Sequence, residues 1–560
     1  MGALMPTSFL DGARERLRTI PSLIGIYAGV VLLAYGFAMF NITLAGDDWH
    51  HLQYRGFQYD FAVSIGRWMV RIVWSLADDD SFAPPFTIAF LCAAYFVFSV
   101  ACCLCLSITQ RGGYLIFACA LVCFPINAEA FSFKAAHLSD GLGLLLAMVS
   151  GLMVVRGHEF LFARDRIKAA VLVLGAAFAF MLAASLYQPL ALFACSLVLI
   201  RVAGFVRERS ETRTMLSRSA SLFCFAAVAF GIGCVLYWGV IHAVSKVAGI
   251  PLLSEGPYAV TDSFVESWAA LRHQMANGFM TINDLLFHQH FLFPLTVKLT
   301  FLAATSLLII IFALDWDKND NQIEERAEQY LDGIARGCVF FIVVILLFLA
   351  PLTLAMVRRI DLTRYTNLIG LGLPHVMAYA LLYDMARDLF WRRGVAILAS
   401  IVIGIFVFEQ NRAAVTTYLL NRRDLHIANR MLERINANTE FAPFAAKKQA
   451  TIVFYGNHLD DRELPRPFSV DQRGGYRVAR PIVDCGVFNC QIGRAADLFR
   501  IISESLMEYA VSVWPNLPGN VTDDEKQRLT DRIKTSHPWP APDAVIFGTH
   551  VIVVILQAPI

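Results

Sequence analysis

Charged residues are scarce in this chain of 560 residues. Asp, Glu, Lys and Arg make up 16% of it, whereas 57% is hydrophobic and the mean hydropathy is +0.56. This balance does not fit a soluble globular protein and is typical of a multi-span membrane protein. The formal net charge of +2 predicts no charged partner, and we expect the protein not to bind nucleic acid.

The N-terminal region lacks the pattern of a cleavable signal peptide. Its first apolar run, Leu23 to Ile42, is long enough to span a bilayer, and no small-residue cleavage pattern follows it. We therefore interpret the run as a signal anchor. Arg14, Arg16 and Arg18 precede it and predict a cytoplasmic N-terminus by the positive-inside rule.

Cysteine is nearly absent from the polar part of the chain. Ten of the twelve cysteines, from Cys92 to Cys338, lie in apolar runs or at their edges, where cysteine acts as a small hydrophobic residue. Cys485 and Cys490 lie in a polar C-terminal region and predict a disulfide in an oxidising compartment. Metal binding is the alternative, although two cysteines without nearby partner ligands make a weak zinc site.

The hydropathy pattern predicts a mainly α fold, a polytopic membrane helix bundle of about eleven spans in residues 1–411. Residues 43–84 and 247–293 are the predicted long outer loops. Apolar residues between Phe61 and Val73 recur at helical spacing, which predicts an amphipathic helix along the membrane surface. Segments rich in Lys and Arg mark the inner side: 156–168, 201–218, 315–336 and 387–393.

Residues 412–560 differ in character and predict a small C-terminal domain. A helical pattern reaches Ile435, a β-rich run covers Ala450 to Tyr455, a helix is expected from Gly493 to Val513 and a last strand from His550 to Gln557. Such mixed elements make an α/β or α+β domain large enough for its own core. The predicted topology places this domain in the periplasm, the compartment that the disulfide requires.

Polar residues gather at the ends of the spans on the predicted outer side. An ionisable residue at a membrane is costly unless it faces water or protein partners. The convergence of these groups therefore predicts one polar site at the outer membrane interface. The residues are Asp47 and Asp48 with Arg67; Glu129, Lys134, His137 and Asp140; Tyr187 and Gln188; and Arg358, Arg359, Arg364 and Tyr365.

The adjacent carboxylates of Asp47 and Asp48 suit the centre of a transferase. One carboxylate can accept the proton of an acceptor hydroxyl, while the other orients the base or binds a divalent cation, Mg²⁺ or Mn²⁺. No other cofactor is expected. The alternative is structural, because the pair can also be a solvated loop start or the N-cap of the predicted surface helix.

The basic and aromatic residues of this group suit recognition of a sugar phosphate. Arg67 can clamp a phosphate through two parallel hydrogen bonds, and it can equally pair with an acid or a lipid phosphate. Lys134 and the arginines of residues 358–364 have lipid headgroups as alternative partners. Tyr187 and Gln188 fit either sugar contact or packing at a helix end.

The order of these short motifs resembles a known family, the Gtr-type glucosyltransferases (glucosyltransferase II family) that modify bacterial O-antigen. The resemblance covers roughly residues 20–410. One departure is that family members tend to carry Arg closely followed by Asp where this chain has Lys134 and, six positions on, Asp140. The motifs in order are Asp47-Asp48, Gly66-Arg67-Trp68, Asn127 with Glu129, Ser132-Phe133-Lys134, Ser185-Leu186-Tyr187-Gln188 and a late Arg-rich turn.

The resemblance implies a GT-C class glycosyltransferase in the bacterial inner membrane. Such an enzyme would take a hexose, usually glucose, from a polyprenyl-phosphate donor. It would add the sugar to a lipid-linked or surface polysaccharide, such as the O-antigen of lipopolysaccharide, on the periplasmic side. Asp47 or Asp48 would be the catalytic carboxylate, Arg67 and Lys134 would face the lipid phosphate, and Tyr187 and Gln188 would line the sugar cavity.

Three alternatives stay open at the level of sequence. The first is another GT-C reaction, such as mannosyl or arabinosyl transfer. The second is a transporter or flippase of a lipid-linked saccharide, which should show internal repeats and broken mid-membrane helices, and no clear repeat is present. The third is a non-catalytic scaffold for polysaccharide assembly, which would leave the Asp pair without a role.

Overall fold

The structure, a computed structural model, describes most of the chain with gaps between the described ranges. The described residues divide into two compact units. The membrane unit comprises Met1–Met39, Tyr59–Phe131 and Ala136–Asn411, and the C-terminal unit comprises Phe40–Gln58, Ser132–Ala135 and Arg412–Ile560. The described residues are 20–41, 43–44, 48, 55–76, 83–131, 133–208, 212–253, 272, 276, 295–313, 323–350, 370–386, 388–456, 488, 495–503 and 507–557.

Helices dominate the described part of the chain as far as residue 436, the region in which the sequence predicts about eleven spans. Among the described residues, eight helices are long and apolar enough to cross a membrane: α1, α4, α7, α8, α9, α10, α12 and α14. In chain order the helices are α1 (Pro21–Phe40), α2 (Arg55–Ser64), α3 (Trp68–Leu76), α4 (Pro84–Cys105), α5 (Arg111–Val122), α6 (Asn127–Ala130), α7 (His137–Phe162), α8 (Arg166–Leu186), α9 (Gln188–Arg207), α10 (Thr212–Ala248), α11 (Leu295–Ala313), α12 (Ile323–Leu349), α13 (Gly372–Met385) and α14 (Leu389–Asn436).

Helix α1 is apolar on all sides, as a helix with neighbours on one side and lipid on the other must be. In α1, the buried Tyr27 and Tyr35 hydroxyls each donate a hydrogen bond of 2.6 Å to a backbone carbonyl, that of Cys92 and that of Val122 respectively. Leu33 of the same helix is 68% exposed. This division between a packed and an exposed apolar side indicates a membrane protein.

One buried carboxylate joins three helix ends of the membrane unit. Asp384 of α13 accepts hydrogen bonds from the backbone N–H groups of Thr109 (2.9 Å) and Gln110 (2.6 Å), which stand at the start of α5. It also accepts from the guanidinium of Arg207 at the end of α9. A carboxylate at a helix N-terminus is favoured by the helix dipole, so Asp384 holds the ends of α5, α9 and α13 together.

The C-terminal unit contains a four-stranded mixed sheet of strand order β2-β1-β4-β3. Strand β1 pairs in parallel with both β2 and β4, and β3 pairs antiparallel with β4. The fold class predicted from the sequence, an α-helical membrane bundle with a small C-terminal α/β region, is therefore confirmed. The remaining elements are α15 (Ala442–Lys447), β1 (Gln449–Tyr455), α16 (Ala495–Ile502), β2 (Glu508–Val513), α17 (Asp523–Thr535), β3 (Val545–Phe547) and β4 (Ile552–Ile555).

The predicted helix from Gly493 to Val513 is wrong in its second half. The helix α16 ends at Ile502, and Glu508 to Val513 form strand β2. Strand β2 pairs in parallel with β1, with Val511 opposite Ile452. Tertiary pairing decides between helix and strand for such a short apolar segment, and the sequence alone does not show the partner strand.

Helices cover both faces of the sheet, and the central strands β1 and β4 are buried along most of their length. On one face Val453 and Val553 pack in a buried cluster with Leu529 of α17. On the other, the Phe454 ring lies 6.3 Å from the ring of Phe499 in α16. Parallel strands covered in this way read as continuous apolar runs rather than as an alternation.

Helix α17 is tied to the β3–β4 turn by a buried carboxylate. Glu525 is 3% exposed and accepts hydrogen bonds from the backbone N–H of His550 (3.0 Å) and from the imidazole Nδ1 of His550 (2.8 Å). Burial raises the pKa of this carboxyl. The hydrogen bonds from His550 and from the Thr549 backbone outweigh the burial, so the pKa lies below its ordinary value.

We expect Glu525→Gln to loosen the β3–β4 turn. The amide keeps one acceptor oxygen but loses a charge-assisted hydrogen bond, a loss of about 1–2 kcal/mol. Amide hydrogen exchange in residues 545–557 of the full-length protein in detergent should accelerate roughly 5- to 30-fold at neutral pH. Asp531→Asn, on the exposed side of α17 with its carboxylate 62% exposed, is the matched control and should change exchange little.

The contact between Glu525 and His550 also predicts that the stability of the β3–β4 turn depends on pH. Because the pKa of Glu525 is lowered in the folded state, its stabilisation is present above the ordinary pKa of a glutamate and is lost as the pH falls through the lowered value. After correction for intrinsic exchange rates, protection of the turn should decline in acid in the wild type and stay flat in Glu525→Gln. An identical acid response in both proteins would contradict this assignment.

Candidate functional site

The predicted surface helix between Phe61 and Val73 is two helices, α2 and α3, separated by a turn at Gly66. The backbone of Gly66 has φ +80°, a left-handed conformation that favours glycine. A Cβ atom placed there would lie 2.5 Å from both Ile241 Cδ1 and the Tyr237 hydroxyl. The positive φ and the close approach to α10 together favour glycine, and the turn that it makes presents Arg67 at the start of α3.

A second break in the helices lies at Tyr187, between α8 and α9. Tyr187 is extended, with φ −157° and ψ 113°, and Pro189 stands in the first turn of α9. Proline is favoured there because its missing N–H would have no partner within the helix. The sequence predicted either sugar contact or packing at a helix end for Tyr187 and Gln188, and the proline explains why a new helix starts here.

Gln188 connects the two breaks through its buried side chain, which is 6% exposed. Its Oε1 accepts a hydrogen bond from Arg67 Nε at 3.2 Å. Its Nε2 donates to the Ile65 carbonyl (3.2 Å) and to the Tyr237 hydroxyl (2.9 Å), and Tyr237 in turn donates to the Gly66 carbonyl (3.2 Å). The carboxamide therefore fixes the turn that carries Arg67.

The guanidinium of Arg67 has contacts on one side and donors available for a ligand on the other. Its guanidinium lies 4.4 Å from the centre of the Tyr187 ring, a cation–π contact. It also interacts electrostatically with the carboxylate of Asp140 in the first turn of α7. Among the described residues, the two terminal nitrogens of Arg67 have no hydrogen-bond partner, so they can form the two parallel bonds that a phosphate accepts.

This arrangement, the Arg67 cluster, brings together four of the residues predicted from the sequence: Arg67, Asp140, Tyr187 and Gln188. Its fifth member, Tyr237, was missed because it stands in an apolar run of α10. A weak signal was present, since a buried tyrosine hydroxyl inside an apolar helix usually requires a hydrogen-bond partner. The start of α9 adds the positive end of a helix dipole, which favours an anion.

A buried pair of oppositely charged side chains, Asp48 and Lys134, lies in the C-terminal unit. Asp48 is fully buried, and its Oδ1 accepts a hydrogen bond of 3.0 Å from the backbone N–H of Ala135. Lys134 is 3% exposed, and the two side chains interact electrostatically. Asp48 therefore caps the 3₁₀ turn Lys134–Ala136. The structural alternative predicted from the sequence was a cap on a different segment, the surface helix.

Several predicted site residues lie outside the described residues: Asp47, Arg358, Arg359, Arg364, Cys485 and Cys490. The predicted disulfide and the part played by the arginines therefore stay predictions. The ten cysteines of the apolar segments are free thiols. Within the described part of the chain no group of three His, Cys, Asp or Glu side chains could hold a metal ion, and the divalent cation expected at Asp47 and Asp48 also stays a prediction.

Comparison with known proteins identifies the family. A family model described as Glucosyl transferase GtrII matches residues 36–383. The chain belongs to the GtrII glucosyl transferase family. The match includes Asp48, Lys134 and the whole Arg67 cluster, so the resemblance found in the sequence is confirmed, and this GtrII family member is a membrane glycosyltransferase. No match was found among curated proteins or among solved structures.

We expect Gly66→Ala to destabilise the GtrII family member. The substitution forces alanine into a left-handed conformation and against the Tyr237 hydroxyl, at a cost of roughly 2–4 kcal/mol. The apparent melting temperature in detergent should fall by several degrees. Gly239→Ala is the matched control, because Gly239 lies in α10 with no atom within 4 Å of the added Cβ. Equal melting temperatures for the two variants would contradict the close approach at Gly66.

Proposed function

We propose that the protein transfers a hexose, glucose by its family, from a polyprenyl-phosphate donor to a lipid-linked or surface glycan such as the O-antigen of lipopolysaccharide. The observation that supports the proposal is the Arg67 cluster. In it the Arg67 guanidinium is held by the hydrogen bond from its Nε to Gln188 and by the face of the Tyr187 ring. Its two terminal nitrogens stay available for a ligand. A fixed guanidinium with two such donors is suited to phosphate rather than to a neutral sugar.

The phosphate is the leaving group of the proposed reaction, and this gives Arg67 its role. As the bond between the anomeric carbon and the phosphate oxygen breaks, negative charge develops on the phosphate. Donors that are already oriented stabilise this charge without reorganising during the reaction. Tyr187 and Gln188 hold the guanidinium in place, and we assign to Asp140 and to the exposed part of Tyr187 contacts with the sugar.

Asp48 is the proposed catalytic carboxylate, a role that Asp47 can share. In an inverting transfer the acceptor hydroxyl oxygen attacks the anomeric carbon and its proton passes to the carboxylate. Support comes from the burial of Asp48 within the family-matched region and from its hydrogen bond with Ala135. Lys134, Arg358, Arg359 and Arg364 are proposed to interact with the lipid phosphate.

The proposal includes a location. The protein would lie in the bacterial inner membrane with a cytoplasmic N-terminus, a periplasmic C-terminal domain and the Cys485–Cys490 disulfide. Support for the membrane location comes from the helices among the described residues that are long and apolar enough to cross a membrane. The two sides are assigned from the segments rich in Lys and Arg and from the count of about eleven spans predicted from the sequence. A polyprenyl chain cannot leave the bilayer, so the acceptor must come to the membrane surface.

Asp48→Asn tests the catalytic role. The amide retains an oxygen that accepts from Ala135 but cannot serve as a base, so transfer should fall by about 10²- to 10⁴-fold. The assay supplies purified protein with polyprenyl-phosphate glucose and extracted lipopolysaccharide, with the mannosyl and arabinosyl donors in parallel. Asp60→Asn, an exposed carboxylate of α2, should retain full activity. Activity of Asp48→Asn close to that of the wild type would remove Asp48 from the reaction.

Arg67→Lys tests the phosphate contact. Lysine keeps the charge but loses the planar pair of donors and the stacking on Tyr187, so the KM for the donor should rise about tenfold, the equivalent of one charge-assisted hydrogen bond. Arg71→Lys is the matched control, since Arg71 lies one turn further along α3 and is exposed. An unchanged donor KM in Arg67→Lys would show that the Arg67 guanidinium does not contribute to donor binding.

A further inference from the structure

The C-terminal unit contains a contact that links distant parts of the chain. Asn421 of α14 and Leu44 are 377 residues apart and are both buried, at 5% and 6% exposure. The Leu44 backbone N–H donates to Asn421 Oδ1 at 2.7 Å, and Asn421 Nδ2 donates to the Leu44 carbonyl at 3.0 Å. The side-chain amide thus pairs with both polar groups of one residue, as a neighbouring strand would.

Leu44, the residue that hydrogen-bonds with Asn421, lies close to Asp48 along the chain. Leu44 precedes Asp48 by four positions, which limits the distance between their Cα atoms to at most about 14 Å. Thr43, next to Leu44, is 2% exposed. The segment therefore has two anchors, the Asn421 amide at Leu44 and the Ala135 N–H at Asp48.

Helix α14 presents Asn421 on a buried polar stripe. Thr417, Asn421 and Asp424 recur at helical spacing and are 7%, 5% and 0% exposed. Asp424 accepts a hydrogen bond of 2.9 Å from the Arg423 guanidinium. Such a stripe is costly to bury unless its groups are paired. The polar stripe of α14 lies beyond residue 383, where the match to the GtrII family ends.

We propose that Asn421 is a positioning residue for the acidic segment that carries Asp48. The part of the chain outside the family match thereby contributes to the transferase centre. This inference rests on the proposed function, because it takes Asp48 as the catalytic carboxylate. The hydrogen bonds that the structure gives the Asn421 amide go to Leu44, so Asn421 acts by fixing the backbone of Leu44.

The test compares Asn421→Ala with Asn429→Ala, an exposed asparagine two turns further along α14. Displacement of a catalytic group by about 1 Å can reduce a rate roughly 100-fold. The kcat of folded Asn421→Ala should therefore fall at least about tenfold, with the donor KM unchanged. Asn429→Ala should match the wild type. A residue that only stabilises the fold would lower the melting temperature and leave the kcat of the folded fraction intact, which would overturn the proposal.

A double-mutant cycle shows whether Asn421 acts through Asp48. If it does, adding Asn421→Ala to Asp48→Asn should cause no further loss of kcat, because the positioned group is already inactive. If the two substitutions reduce kcat by factors that multiply, Asn421 acts on a group other than Asp48, and the proposal is overturned.

Hydrogen exchange separates failure of this inference from failure of the proposed function. Asn421→Ala should accelerate exchange in residues 40–48 and leave residues 545–557 unchanged, whatever reaction the protein performs. Unchanged exchange in residues 40–48 would overturn the Leu44 contact itself. Full activity of Asp48→Asn would overturn the catalytic role of Asp48, and with it the positioning role, even where exchange confirms the contact. Absence of hexose transfer in the wild type would overturn the proposed function.

Discussion

A buried carboxamide among apolar helices imposes the central constraint on the membrane unit. Gln188 carries two donors and an acceptor that would be costly to leave without partners. Its partners come from three places: the turn between α2 and α3, the guanidinium of Arg67 and the hydroxyl of Tyr237 in α10. These contacts form only when the helix breaks at Gly66 and Tyr187 meet, so the same hydrogen bonds fix the fold and the direction of Arg67.

The polar groups of the C-terminal unit follow a similar principle. Asp48 and Lys134 are buried, and the carboxylate accepts from a backbone N–H. A buried charge contributes little to net stability by itself, because its desolvation offsets the attraction to its partner. The proposed function gives the arrangement a role, since the proposed catalytic carboxylate requires a fixed direction. We regard the precise placement of Asp48 as the property that the surrounding contacts maintain.

The family match and the compact units divide the chain differently. The match ends at residue 383, whereas the C-terminal unit includes Phe40–Gln58 and Ser132–Ala135, which lie inside the match. The segments that carry Asp48 and Lys134 therefore belong by contact to the same unit as the mixed sheet. This membership gives residues beyond the family match, Asn421 among them, a structural means to influence the proposed reaction.

The sequence alone determined the features that depend on neighbouring residues. Its hydropathy predicted the helices of the membrane unit, and the order of its motifs identified the family and named Arg67, Tyr187 and Gln188. Only the tertiary structure decided the break at Gly66, the strand β2, and the hydrogen-bond partners of Tyr237 and Asn421. Each of these depends on a partner distant in the chain: α10 for Gly66, β1 for β2, Gln188 for Tyr237 and Leu44 for Asn421. Local propensity and periodicity carry no information about such partners, because the pairing exists only once the chain has folded.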